Sequence, residues 1–209
     1  MSEQLGNLDL AALISSRICH DVINPVGAIS NGLEMLAEEP DEEMRVQAME
    51  LIRNSARQAS AKLQFARLAF GAAGSAGAEI DLRDAEKVAR DFVQGAKHSL
   101  EWKGMAATLP KNKVKLLLNL VALGVVALPR GGVVTVEIVG QPPNVAFTVT
   151  SKGDAAKLNE HVTGLLAGAN GTPVDSHSIQ PYYANLVAQA SSMALTVEAG
   201  DGEVVLKAA

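Results

Sequence analysis

Apolar residues return at three- and four-residue intervals through the first seventy positions. After about residue 80 the rhythm turns to mixed helix and strand, so two architectures follow one another. On a wheel of about 100° per residue, Ile14, Ile18, Val22, Val26, Ile29, Leu33 and Leu36 gather into one stripe, predicting a helix from about Leu8 to Glu39. The acidic stretch Glu38-Glu39-Pro40-Asp41-Glu42-Glu43 breaks it, because proline disfavours helix at the residue before it. Asp41 can cap a second helix, with Glu42 and Glu43 favourable to its dipole. That helix has its own stripe: Met44, Ala48, Leu51, Ile52, Ser55, Ala59, Leu63, Ala66 and Phe70. Two helices bury too little alone. A pair of hairpins closing a four-helix bundle is the natural completion, which predicts a homodimer.

Gly71-Ala72-Ala73-Gly74-Ser75-Ala76-Gly77-Ala78 carries no core pattern and reads as a linker. It divides the chain into a helical-hairpin dimerisation domain over 1–70, the linker 71–78 and a second domain over 79–209. The second domain is predicted to open with a strand near Glu79–Leu82 and a helix from about Arg83 to Lys97. A strand at Ser99–Trp102 and an apolar, buried helix from Pro110 to about Leu128 come next. Val133–Val139 and Val145–Thr150 make a hairpin across Gln141-Pro142-Pro143-Asn144. Helices near Ala155–Leu166 and Ile179–Ser191 precede a closing hairpin, Ala194–Glu198 and Val204–Lys207, around Gly200-Asp201-Gly202. The fold class is α+β, with helices on one face of a mixed sheet.

Composition narrows the function. Hydrophobic residues make up 48% of the chain, enough for a core in each part, and the aromatic share of 3% favours close helix packing. The longest apolar run, Leu116 to Leu128, is too short to span a bilayer, and Met1 to Asp9 lacks the features of a signal peptide. One cysteine, Cys19, fits a reducing cytoplasm and excludes an internal disulfide framework. The net charge is −5; the first 70 residues hold 6 Lys/Arg against 10 Asp/Glu, and the remainder 12 against 13. With no basic surplus to release phosphate counterions, nucleic acid is not expected as a partner.

The candidate chemistry lies on the first helix. His20 falls opposite the apolar stripe, with Asn24, Gly27 and Asn31 above it on the same face. A neutral imidazole is nucleophilic near pH 7 and forms a phosphoramidate, so an exposed histidine on a stiff helix suits phosphoryl relay between proteins. Asp21 can hold the tautomer that leaves the distal nitrogen free. Asn24 can orient a water or the phosphoryl group, Pro25 should bend the helix, and Gly27 leaves room for another domain. Arg17, Arg57 and Lys62 can neutralise charge or dock a partner, or be solvated surface charges. Leu13, two turns below His20, can contact a receiver. Cys19 reads as a packed thiol, and Trp102 with Tyr182-Tyr183 as packing residues. His98, His161 and His177 lack metal-ligand spacing and read as surface or core residues. No metal-binding cluster is evident.

A solvent-facing histidine on a helix is ordinarily just a polar surface residue. Its neighbours argue otherwise. His20-Asp21-Val22-Ile23-Asn24-Pro25-Val26-Gly27-Ala28-Ile29 resembles the phosphoacceptor motif of two-component histidine kinases, His-Glu/Asp-x-x-Asn-Pro and apolar residues, in the hairpin context the motif requires. The second domain resembles the ATPase module of those kinases in element order and length, but its ligands are missing. Lys113–Gly124 looks like a worn asparagine-bearing helix in which Asn119 is kept and Leu123 stands where a Mg²⁺-holding asparagine would be. Asp-x-Gly-x-Gly becomes Ser151-Lys152-Gly153-Asp154-Ala155. Gln180-Pro181-Tyr182-Tyr183-Ala184-Asn185 replaces a glycine-rich turn. Gly164–Gly171 lacks the Lys-Ser/Thr of a phosphate loop and reads as an ordinary turn.

An intact phosphoacceptor hairpin joined to a degenerate ATPase-like domain resembles the ChpT-like histidine phosphotransferases of alphaproteobacteria. The resemblance spans nearly the whole chain and includes Ser16–Asp21 and Gln180–Tyr183. It implies a cytoplasmic, homodimeric phosphotransferase that binds no cofactor of its own. His20 would be the phosphoacceptor, served by Asp21 and Asn24, with Leu13, Arg17, Gly27, Asn31, Arg57 and Lys62 meeting the partner. It implies phosphoryl transfer from the receiver domain of a CckA-like hybrid kinase to CtrA-like and CpdR-like response regulators of the cell cycle, with Mg²⁺ supplied by the receiver. Two alternatives stand beside it: a true ATP-using kinase with a divergent site, and a non-enzymatic dimeric adaptor in which His20 is incidental.

Overall fold

The computed structural model describes residues 5–38, 41–71, 78–94, 97–169 and 173–209. Most of the predicted linker, 72–77, lies outside them. Helices α1 (Asn7–Ala37) and α2 (Glu42–Ala69) form the hairpin. The Asp41 carboxylate accepts from the Met44 amide at 2.9 Å, so the capping residue read from the sequence starts α2.

The face that α1 turns to α2 is not the whole predicted stripe. Pro25 and Gly32 are its buried positions, whereas Val26 and Leu33 are 46% and 55% exposed. The cause is close approach at Gly32: a Cβ there would lie 2.6 Å from Ile52 Cγ1 and 3.2 Å from the Ala48 carbonyl oxygen. With no side chain at this contact the helices meet along the Pro25–Gly32 line, and the edge of the stripe turns outward. Cys19 lies on that outward edge and is exposed, contrary to the packed thiol expected.

The second domain begins with β1 (Glu79–Asp81), which pairs antiparallel with β3 (Thr108–Pro110). The sequence reading had no strand at β3. Asp81 caps α3 (Leu82–Val93), whose buried residues Leu82, Ala85, Ala89 and Val93 follow helical spacing. The five-stranded sheet has the order β2-β4-β5-β7-β6, with β2 (His98–Lys103) parallel to β4 (Gly132–Gln141). β5 (Asn144–Lys152), β6 (Leu195–Gly200) and β7 (Glu203–Ala208) complete it in antiparallel pairs. Val134, Val136 and Ile138 on β4, Phe147 and Val149 on β5, and Val204 and Leu206 on β7 point to one face, the alternation of a half-covered sheet.

Covering that face is α4 (Lys111–Val126), buried at every position from Val114 to Gly124, with α3 against β2 and α6 (Ile179–Ala190) packed on α4. Burial at Lys115 pushes its ammonium pKa below the ordinary value, and the charge of Lys111 adds to the effect. Helix α5 (Glu160–Leu166) is shorter than predicted. Ala155 sits at φ 62° in the left-handed region, and the Asn159 side chain accepts from the Val162 amide, so the helix starts only there.

The hairpin and the sheet domain share one core. Phe65 and Ala69 of α2 belong to the same buried cluster as Leu82, Leu109, Leu116 and Phe147. Phe65 stacks on Phe92 of α3 with ring centroids 3.9 Å apart, and Phe70 leans on Tyr183 of α6 at 5.4 Å. Trp102 and Tyr183 pack against this core, as read from the sequence.

Candidate functional site

α1 carries His20 on its exposed side, with 55% of the side chain open to solvent. Nδ1 lies 3.7 Å from Asp21 Oδ1, so the carboxylate faces one edge of the ring and favours a proton on that nitrogen. The separation is longer than a hydrogen bond. Asp21 is itself fixed: its other oxygen, Oδ2, accepts from Arg17 Nε at 2.9 Å, one helical turn below. Asn24, Gly27 and Asn31 lie exposed along the same face, and nothing occupies the space beside Gly27.

Pro25 has a second effect. It lacks an N–H, so the carbonyl of Asp21, four residues back, has no helical donor. Lys62 Nζ reaches across from α2 and donates to that carbonyl at 2.9 Å. Lys62 is therefore engaged beneath the site rather than free on the surface. Arg57 is not gathered in: it donates to Asn54 on its own helix and lines a cleft with Asp91 of α3 and with Gln94, which follows that helix. Leu13 is half-buried.

The residue that sequence reading missed is His177. It stands in the turn before α6, and its ring meets the His20 ring edge-on with centroids 5.2 Å apart and planes at 81°. Its carbonyl accepts from Arg17 Nη1 at 3.3 Å, so Arg17 links Asp21 to the second domain. Asp175 builds the turn: one carboxylate oxygen accepts from the His177 amide, the Ser178 amide and the Ser178 hydroxyl at 3.0, 2.8 and 2.7 Å. The Ser178 bonds hold the Asp175 carboxyl below its ordinary pKa, and the His177 amide and ring act in the same direction. Nothing local in the sequence joins His177 to His20. His98, by contrast, is structural, with Nε2 3.0 Å from the Leu128 carbonyl oxygen.

In the second domain, Asn119 is fully buried on α4. Its amide nitrogen donates to the carbonyls of Ala69 at 3.2 Å and Lys115 at 2.8 Å, and its oxygen faces Gln180 Nε2 at 3.4 Å. The asparagine read as a nucleotide-site relic thus ties α2, α4 and α6 together. Leu123 is buried in the core, and Ser151 is buried with its hydroxyl against Gly124. Among the described residues no three His, Cys, Asp or Glu side chains converge as metal ligands, and no helix is long and apolar enough to cross a membrane.

Residues 82–203 match the family described as histidine phosphotransferase C-terminal domain. The chain is 48% identical, over 98% of its length and 97% of the relative's, to "Protein phosphotransferase ChpT" of Brucella abortus (strain 2308). A solved structure described as a bacterial phosphotransferase superposes over the whole of both chains, with TM-score 0.90 and 45% identity. The histidine kinase domain of a blue-light activated kinase from Erythrobacter litoralis shares the fold, with TM-score 0.51 and 11% identity over 88% of this chain and 92% of that one.

Proposed function

The chain belongs to the ChpT family of histidine phosphotransferases, phosphorelay intermediates of two-component signalling, and on that premise we propose that His20 carries the phosphoryl group. The observation that carries this reading is the ring itself. It is exposed on a helix, with a fixed carboxylate at Nδ1 that leaves Nε2 for attack.

The lone pair of Nε2 forms a bond to phosphorus as the acyl P–O bond of a receiver's aspartyl phosphate breaks. The carboxylate leaves with that electron pair. Nδ1 keeps its proton, and the positive charge that develops on the ring faces Asp21. Onward transfer reverses the step: a second receiver's carboxylate attacks phosphorus, the N–P bond breaks, and Nε2 recovers its pair. Positioning and charge neutralisation supply the catalysis. A divalent metal held by the receiver's own acidic residues would supply neutralisation of the phosphoryl charge, and on this chain's side Asp21 faces the charge that develops on the ring. Asn24, Gly27 and Asn31 form the face across which the receiver docks, with Leu13 and Arg17 at its lower edge.

Nucleotide does not fit the second domain in this reading. The Asn119 amide is spent on the carbonyls of Ala69 and Lys115, Leu123 supplies no ligand, and Ser151 stands where an adenine-reading aspartate would be. The protein therefore relays phosphoryl groups without ATP. The outward apolar residues of the hairpin, including Ile23, Val26 and Leu33, form the dimer face, and the site of action is the cytoplasm.

The test is one transfer assay. A receiver domain charged with acetyl phosphate should label the protein, and His20→Gln should remove the label. Radiolabelled ATP with Mg²⁺ should give none. Labelling by ATP alone would establish a kinase instead, and undiminished labelling of His20→Gln would move the acceptor elsewhere.

A further inference from the structure

We propose that His177 is a positioning residue for phosphoryl transfer: from the second domain it holds the His20 ring in the orientation that presents Nε2. This rests on His20 as the acceptor. An exposed histidine on a helix turns freely between staggered rotamers, and a nucleophile that must meet phosphorus in line loses rate with each unproductive orientation. Two contacts restrict the ring. Asp21 faces Nδ1 along the helix, and the His177 ring stands edge-on at 5.2 Å and closes one side.

The turn that carries His177 is held in place. Its backbone is pinned by Asp175 through the amides of His177 and Ser178, and by Arg17 through the His177 carbonyl. Arg17 simultaneously fixes Asp21. The charged groups around the pair are thus Arg17 and Asp21 on α1, Lys62 on α2 and Asp175 in the turn. The two constraints on His20 share one guanidinium, so docking of the second domain and alignment of the nucleophile are the same event. A domain without use for nucleotide thereby acquires a role in the transfer.

The tests use the full-length protein and two phosphodonors. One is a receiver domain charged with acetyl phosphate, which covers the site. The other is phosphoramidate, a small donor that touches little beyond the ring; its P–N bond breaks, ammonia leaves, and Nε2 takes the phosphoryl group. His177→Ala keeps the backbone contacts of an exposed residue, so its melting temperature should match the parent. Its labelling rate should fall on the order of tenfold with both donors. His177→Phe restores an aromatic edge and should recover the rate to within about threefold of the parent.

A rate that falls with the receiver but not with phosphoramidate would make His177 a docking contact and overturn the proposal. Equal loss in His177→Phe and His177→Ala would also overturn it, in favour of a polar role for the imidazole. Unchanged rates in both variants would remove His177 from the reaction. His20→Ala labelled by either donor would instead fail the acceptor assignment beneath the proposal, whatever His177 does.

Discussion

Lys62 Nζ donates to the backbone carbonyl of Asp21 across the hairpin at 2.9 Å, and that carbonyl is the one deprived of its helical donor by Pro25. The proline of the histidine motif thus changes the backbone of α1 at the candidate site. It opens an acceptor next to His20, and α2 fills it with a cation. A buried or half-buried carbonyl without a partner is costly, which explains why the lysine extends inward instead of into solvent.

Lys62→Met should destabilise the protein by about 1–2 kcal/mol, the order expected for a partly exposed hydrogen bond to a charged group. In a Pro25→Ala background the Asp21 carbonyl regains a helical donor, so the same lysine change should cost less. Urea denaturation of the two single variants and the double variant measures this coupling. Strictly additive costs would show that proline and lysine act independently.

Phe65→Ala should cost about 3–5 kcal/mol, because the ring is buried and stacked on Phe92 in the core shared by hairpin and sheet. Cooperativity is the sharper readout. Loss of this contact should split the thermal transition into two if it is what binds the two parts into one unit, as calorimetry will show.

Asn119→Leu should lower stability by about 1–3 kcal/mol, since the carbonyl of Ala69 and the amide of Gln180 lose a buried partner. Transfer from a phosphorylated receiver should persist below the new melting temperature. Abolished transfer in a fully folded variant would restore a catalytic meaning to this asparagine.

With the dimer face proposed above, Val26→Asp with Leu33→Asp should sediment as a monomer where the parent sediments as a dimer, and a parent that is monomeric at every concentration would overturn that face. Both side chains are large, apolar and turned away from α2. Neither supports the fold of a single hairpin, so circular dichroism should change little when parent and variant are compared as monomers.

Asp175 sets a pH dependence. Its folded pKa is depressed below the ordinary 3.8, chiefly by the Ser178 hydroxyl bond. The unfolded chain therefore binds more protons in this window, and the turn's stabilisation is present above 3.8 and lost as pH falls through the depressed value. Protection of the His177 and Ser178 amides, relative to their intrinsic exchange, should fall as the carboxylate protonates. In Asp175→Asn that protection should be low and independent of pH across the same range.

Much of the candidate site's placement is legible in the sequence because it is local. His20, Asp21, Asn24 and Pro25 fall within six residues of one helix, where spacing fixes which side chains share a face. The same locality made α2's cap, the alternating β4–β5 hairpin and the buried α4 readable. The errors have equally specific causes. The stripe on α1 was drawn by hydrophobicity alone, but Gly32 let the helices touch along a line that left Val26 and Leu33 outside. Helix α5 began late because Ala155 adopts a left-handed turn that its side chain does not advertise.

Residue order alone establishes the chemistry available: a histidine beside a carboxylate, on a helix that carries a proline within it, ahead of a sheet domain without the usual nucleotide ligands. The tertiary structure decided which groups meet. His177 reaches His20, Arg17 spans Asp21 and the His177 carbonyl, and Asn119 ties three helices, all through contacts between residues far apart in the chain. Periodicity constrains neighbours within a few turns. Encounters across a hundred residues or more depend on how whole surfaces pack, and packing is settled only when the shared core closes.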